Sequence, residues 1–186
     1  MTKTAKPTLA DEIREATGVD VAECYQCGKC SAGCPMARYM DMGPSQIMRL
    51  VQIGTDEARR RLLASTALWS CVGCLTCTQR CPKDLDPAAV IDALREMANR
   101  EGTVPHDQKR ILKFHEAFLK TVEYTGRMSE MPLTGLYKMM SGDLFSDVLL
   151  APVMLAKGKL PFVPRVIRGR KEIRRIFKAC LRKEDE

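Results

Sequence analysis

The apolar positions of this chain recur at helical spacing along most of its length, and no stretch alternates with period two for long enough to read as a strand. Thr8, with Asp11 three residues on, has the form of a capping box and opens a short helix that Gly18 closes. Gly43-Pro44 starts a second helix, with Ile47, Leu50 and Val51 on its apolar side and Gly54 at its end. Thr55 caps a third, which carries Glu57 in its first turn and Leu62 and Leu63 on its buried side. Asp86-Pro87 opens a fourth, with Val90, Ile91, Leu94 and Met97 before Gly102. A fifth runs from Pro105 to Tyr124, with Ile111, Phe114, Phe118 and Val122 on one face and Gly126 beyond it. The expected fold class is all-α.

Two segments near the C-terminus carry the same pattern with different chemistry. The apolar run from Leu144 to Ala156 is broken by Asp147 and Pro152. It falls short of the roughly 20 residues a bilayer span needs and reads as a buried helix. From Lys159 to Lys183 ten Lys/Arg accompany one acid, Glu172, while Val166, Ile173, Ile176, Phe177, Cys180 and Leu181 form an apolar stripe. This is a basic amphipathic helix, suited either to a partner's groove with an acidic rim or to the chain's own core.

Two loops interrupt the helices, and they repeat. Shifting the sequence by 47 places carries Cys24, Cys27, Cys30, Cys34 and Pro35 onto Cys71, Cys74, Cys77, Cys81 and Pro82. Both read C-x₂-C-x₂-C-x₃-C-P. Three cysteines at spacing three wrap a loop tightly enough to meet three irons of one cubane. The fourth points elsewhere, and in two-cluster ferredoxins it ligates the other cluster. The expected centres are therefore two [4Fe–4S] clusters, one on Cys24, Cys27, Cys30 and Cys81, the other on Cys71, Cys74, Cys77 and Cys34. Paired zinc sites need only C-x₂-C pairs, which leaves the third close cysteine and the C-P step without a role. His106 and His115 lie far from both loops, which argues against a Rieske-type centre. The ninth cysteine, Cys180, falls on an apolar stripe and reads as a buried small hydrophobe.

Composition narrows the function. At 186 residues, 28% charged and 45% hydrophobic, the chain fits an ordinary globular protein. Nine cysteines with no apolar segment after Met1 to Lys6 point to a reducing, cytoplasmic setting in which thiols serve as ligands. The formal charge of +7 falls to about +3 once two clusters are counted at about −2 each, so a nucleic-acid partner loses its main support. No Cys-Cys pair, no G-x-G-x-x-G and no P-loop is present. An electron carrier without a catalytic residue of its own is the reading.

The segments CYQCGKCSAGCP (Cys24 to Pro35), DMGPSQIMRLVQIG (Asp41 to Gly54) and LWSCVGCLTCTQRCP (Leu68 to Pro82) resemble the C subunits of heterodisulfide reductases. The resemblance implies an α-helical ferredoxin core with a pseudo-two-fold repeat around two [4Fe–4S] clusters. It also implies a soluble complex of three kinds of subunit. In it the C subunit relays electrons from the A subunit, which holds flavin and iron–sulfur clusters, to the B subunit, whose clusters reduce the disulfide. In methanogens such complexes couple to a hydrogenase or a formate dehydrogenase by flavin-based electron bifurcation. Iron–sulfur subunits of fumarate reductase, glycolate oxidase and glycerol-3-phosphate dehydrogenase share the same core and are the alternative. The expected organisation is an N-terminal helical segment (1–19), the two-cluster domain (20–104) and a helical C-terminal extension (105–186).

Overall fold

The computed structural model describes residues 7–142, 154, 156, 157 and 166–184, and among these every regular element is helical. The chain divides into two compact units, Met1–Gln108 and Lys109–Glu186. The first holds α1 (Leu9–Thr17), α2 (Lys29–Ala32), α3 (Pro44–Ile53), α4 (Asp56–Leu63), α5 (Ala67–Ser70), α6 (Thr76–Gln79) and α7 (Pro87–Arg100), with short 3₁₀ turns between them. The second holds α8 (Lys109–Thr125), α9 (Glu130–Ser141) and α10 (Arg170–Glu184).

Local chemistry sets the ends of these helices. At α1 the Thr8 hydroxyl accepts from the Asp11 amide at 3.2 Å, and the Asp11 carboxylate accepts from the Thr8 amide at 2.9 Å. The Thr8 hydroxyl also donates to that carboxylate at 2.7 Å, and this bond, with the one from the Thr8 amide, holds the Asp11 carboxyl below its ordinary pKa. Prolines occupy the first helical positions of α3 and α7, where a missing N–H costs nothing. On α3 the buried stripe is Pro44, Ile47, Met48 and Val51, which is i, i+3, i+4 and i+7. Leu50, expected in that stripe, is only half-buried, and Met48 is buried in its stead. The core of the first unit joins Ile13 of α1, Ile47 and Val51 of α3, Leu62 and Leu63 of α4, Leu68 of α5, and Val90, Ile91 and Leu94 of α7, each almost fully buried. Each such side chain contributes about 1.5–3 kcal/mol through removal from water.

Two polar devices close this unit. Arg59 on α4 donates to Glu12 of α1 at 2.8 Å and to Glu101, just past α7, at 2.5 Å. Asp41 accepts from the Ser65 hydroxyl at 2.7 Å and from the Ala67 amide at 2.8 Å, which satisfies the start of α5. Burial pushes the Asp41 carboxyl up, but the bonds from Ser65 and Ala67 outweigh it and leave the pKa below its usual value. Replacing Asp41 by Ala leaves the Ala67 amide and the buried Ser65 hydroxyl without this acceptor. The expected cost is about 1–3 kcal/mol, read as a lower denaturation midpoint in urea.

The second unit departs from the pattern in two places. On α8 the buried line is Ala117, Thr121 and Thr125, with both threonine hydroxyls bonded back into the helix at 2.8 and 2.7 Å. α9 and α10 both pack on α8, whose larger apolar side chains stay more exposed than this small line. Phe114 and Phe118 are 43% and 38% exposed, with Phe114 edge-on to Tyr137 of α9 at 5.6 Å. On α10 Ile173 and Phe177 are half-buried, whereas Ile176 and Cys180 are exposed, so Cys180 is not the buried hydrophobe expected. The helix packs on α8, with the Arg174 guanidinium 5.2 Å from the Tyr124 ring. The Leu144 to Ala156 run lies, apart from Met154 and Ala156, outside the described residues. No helix among the described residues is long and apolar enough to cross a membrane.

Candidate metal centre

The two cysteine loops have the same backbone. Gln26 and Gly73, 47 residues apart, share φ of +60° and +63°, and Gly28 and Leu75 share +77° and +58°. These left-handed steps curl each loop back onto a single helical turn, α2 or α6, which itself carries the third cysteine, Cys30 or Cys77. The fourth cysteine then leaves that turn on a matching bond: the Cys34 amide donates to Ser31 O at 3.2 Å, and the Cys81 amide to Thr78 O at 3.1 Å.

The turns α2 and α6 pack against each other, which carries each fourth cysteine to the opposite loop. Cys24, Cys27, Cys30 and Cys81 line one cavity, walled by Met48, Leu85 and Pro87. Cys34, Cys71, Cys74 and Cys77 line a second, walled by Pro44, Ala88 and Ile91. All eight cysteines singled out in the sequence are thus gathered into two quartets. Cys27 and Cys74, the middle cysteines of the loops, are exposed; Cys77 is buried and the other five are half-buried. The positively charged Arg38, Arg80 and Lys83 beside the loops are exposed, which screens them. Arg80 nevertheless has a packing role: a Cβ on its repeat partner Gly33 would collide with the Arg80 side chain.

The donor set fits an iron–sulfur cubane. A tetrahedral zinc site brings four sulfurs to about 2.3 Å from one point. Among the described residues no three His, Cys, Asp or Glu side chains converge on a single ion in that way. A cubane binds each thiolate to its own iron, so its ligands line a cavity rather than meet at a point. Desolvation by burial pushes the Cys30 and Cys77 thiols up. The Thr76 hydroxyl, 3.4 Å from Cys74 Sγ, pulls that thiol down.

Several residues that hold these cysteines do not stand out in the sequence. The Ser31 hydroxyl accepts from the Ser45 amide at 2.9 Å, which ties α2 to the start of α3. Its repeat partner Thr78 donates to Asp86 at 2.6 Å, and Asp86 caps α7 through the Ala88 and Ala89 amides. Gln52 of α3 donates to Val21 O at 2.9 Å and Cys24 O at 2.7 Å. Arg95 of α7 donates to Leu68 O at 2.6 Å and Cys71 O at 3.0 Å. The four carbonyls are repeat partners at a shift of 47, but Gln52 and Arg95 are 43 apart, as are the prolines Pro44 and Pro87 that open their helices. Aligning the helices on those prolines, rather than carrying the cysteine shift onward, is the signal that would have paired them.

Comparison with known proteins agrees with the donor set. The model of the 4Fe-4S dicluster domain family matches residues 20–85. The chain is 36% identical over 144 residues to the C subunit of the ferredoxin:CoB-CoM heterodisulfide reductase of Methanosarcina acetivorans, an alignment covering 76% of this chain and 53% of that one. It is 34% identical over 85 residues to the C2 subunit of the H(2)/formate:CoB-CoM heterodisulfide,ferredoxin reductase of Methanococcus maripaludis, covering 45% and 44%. A second Methanosarcina acetivorans protein, the C subunit of the ferredoxin/F(420)H(2)-dependent CoB-CoM heterodisulfide reductase, is 26% identical over 156 residues, covering 74% of this chain and 94% of that one. The chain therefore spans about half the length of the first two of these relatives.

Proposed function

Because the chain carries a 4Fe-4S dicluster domain and is a relative of the C subunits of CoB-CoM heterodisulfide reductases, we propose that it is the electron-transfer subunit of a heterodisulfide-reductase-type complex. The observation that carries this reading is the sorting of eight cysteines into two interleaved quartets. Cys24, Cys27, Cys30 and Cys81 hold one [4Fe–4S] cluster, and Cys71, Cys74, Cys77 and Cys34 hold the other. Each such cluster, when bound, takes up and gives up one electron.

The protein's own part is to hold, space and shield. Each fourth cysteine is fixed to the other loop, so the separation of the two centres is set by the packing of α2 on α6. Met48, Leu85 and Pro87 on one side, and Pro44, Ala88 and Ile91 on the other, keep water from the inner faces. Cys27 and Cys74 reach the surface, so each centre has one edge near which a partner's cofactor can come. The electron donor is an A subunit containing flavin and iron–sulfur clusters, and the acceptor is a disulfide-reducing B subunit. A hydrogenase or formate dehydrogenase feeds the larger assembly, and the substrate is a heterodisulfide. The relatives' names span hydrogen, formate, ferredoxin and F(420)H(2), so the C subunit is the constant relay and the donor is what varies.

Anaerobic purification tests this reading. The expected product is brown, with about eight irons and eight acid-labile sulfides per chain, and it carries a flavoprotein and a cysteine-rich protein with it. A colourless protein holding zinc refutes the cluster assignment. An iron-loaded protein that co-purifies with a quinone-linked partner instead places it with the other oxidoreductases that share this core.

A further inference from the structure

The two halves are built alike, yet one pair of equivalent residues differs in charge at the place where it matters most. Counting from the prolines that open α3 and α7, Gln52 and Arg95 occupy the same helical position. They also do the same work: each reaches from its helix to the carbonyl of the first cysteine of its loop and to the carbonyl three residues earlier. At the Cys24 loop that work is done by a neutral amide, and at the Cys71 loop by a guanidinium. The structure assigns to this difference the role of making the two centres unequal: Arg95 holds the Cys71 centre at a higher reduction potential than the Cys24 centre, so electrons run from the Cys24 side to the Cys71 side.

Adding an electron to a cluster adds negative charge, so a nearby cation favours the reduced state, and most strongly where water is excluded. The Arg95 side chain is only 22% exposed and bonds the Cys71 backbone directly. The groups around it are Leu68 O and Cys71 O, the Trp69 ring with its centroid 5.9 Å away, and Asp92, whose carboxylate accepts from Nη1 at 3.0 Å. Asp92 is 64% exposed, so solvent weakens its opposition to the guanidinium.

In the other half the equivalent of Asp92 is Arg49, which donates to Gln52 Oε1 at 3.4 Å. That cation is exposed and one residue further from the cysteine, so its effect is screened. Hydrogen bonds to sulfur do not restore the balance. Gln52 gives its amide hydrogens to two carbonyls, so its oxygen faces Gln26, and Gln26 must present its NH₂ group. One hydrogen of that group reaches Gln52 Oε1 at 3.2 Å and the other reaches Cys24 Sγ at 3.4 Å. The Cys71 centre has its own counterpart in the Thr76 hydroxyl, 3.4 Å from Cys74 Sγ. Tyr25 also meets Cys27 and Thr78 meets Cys77, so both halves have side-chain contacts to sulfur. The other cations beside the Cys24 quartet, Lys29, Arg80 and Lys83, are exposed and screened, which leaves the part-buried guanidinium of Arg95 against the neutral amide of Gln52.

This inference rests on the cluster reading above, and its test separates the two. Arg95→Gln copies the residue that the other half already uses for the same pair of carbonyls, so the loop keeps its tether while losing the charge. In the full chain, loaded anaerobically and titrated under electron paramagnetic resonance, iron content is expected to stay unchanged. At the wild-type midpoint of the Cys71 centre, the ratio of reduced to oxidised form is expected to fall about tenfold, equivalent to about 59 mV for one electron. The Cys24 centre is expected to hold its midpoint, and Arg95→Lys, which keeps the charge, to leave both near wild type. A protein without iron refutes the cluster reading. Iron-loaded Arg95→Gln with an unmoved midpoint, or with both midpoints moved equally, overturns the inference. If Arg95→Gln does not retain iron, Gln52→Lys introduces the charge on the other side, and failure of the Cys24 midpoint to rise overturns it as well.

Discussion

Replacing Cys34 by Ser is expected to damage the centre beside Cys71, not the one beside its neighbours in sequence. Cys34 follows Cys30 by four residues, yet it lines the cavity of Cys71, Cys74 and Cys77. Serine is a poorer ligand than thiolate for iron, so the affected centre is expected to lose iron or to change its spectrum, with up to half of the iron per chain at stake. Cys74→Ser serves as the reference for that centre and Cys27→Ser for the other. Under electron paramagnetic resonance, Cys34→Ser is expected to alter the same signal as Cys74→Ser, and Cys81→Ser the same signal as Cys27→Ser. If Cys34→Ser instead groups with Cys27→Ser, each loop serves its own cluster and the interleaving has no part in ligation.

Replacing Ile91 by Ala is the core substitution with the largest expected effect. Ile91 is 1% exposed and sits on the buried face of α7, where it also walls the Cys71 cavity. Truncation removes several buried methyl groups and leaves a void that the surrounding helices fill only in part, at a cost of about 2–5 kcal/mol. The expected results are a lower midpoint in denaturant-induced unfolding of the loaded protein and faster loss of colour in air. The second follows because the missing side chain opens a path for solvent to the inner face of that centre. Ile91→Val, which deletes one methyl group, is expected to cost only about 0.5–1.5 kcal/mol. A Val variant as damaged as the Ala variant would point to shape at this position, rather than volume, as the controlling factor.

The parts of the structure legible in the sequence are those written in local chemistry. The capping box at Thr8 and Asp11, the prolines at Pro44 and Pro87 and the period of α7 each depend on residues within a turn or two of one another. The cysteine spacing belongs to the same class, because a loop of that length can present its thiols in few ways. What the pattern left open depends on contacts far along the chain. Whether Met48 or Leu50 faces the core is decided by how α3 lies on α1 and α7, since both fall within the apolar arc. On α8 the large apolar residues predicted a face that the small line Ala117, Thr121, Thr125 in fact provides. Cys180 sits on the stripe that the period identifies, but α10 packs on α8 with Ile173 and Phe177 half-buried and leaves Cys180 exposed. Gln52 and Arg95 were hidden for another reason: polar residues on a helix read as solvent-facing until the carbonyls they meet are known.

The interleaving of the quartets also bears on how the protein is made. A chain emerging from the ribosome presents Cys24, Cys27 and Cys30 long before Cys81 exists, and Cys34 must wait for Cys71. Neither site can be loaded in part and finished later without leaving an iron open to oxygen and water, so cofactor delivery belongs after synthesis of the whole first unit. With the ligation proposed above, each cluster would tie the two halves together, and loss of one would remove one tie while its twin keeps its own four cysteines.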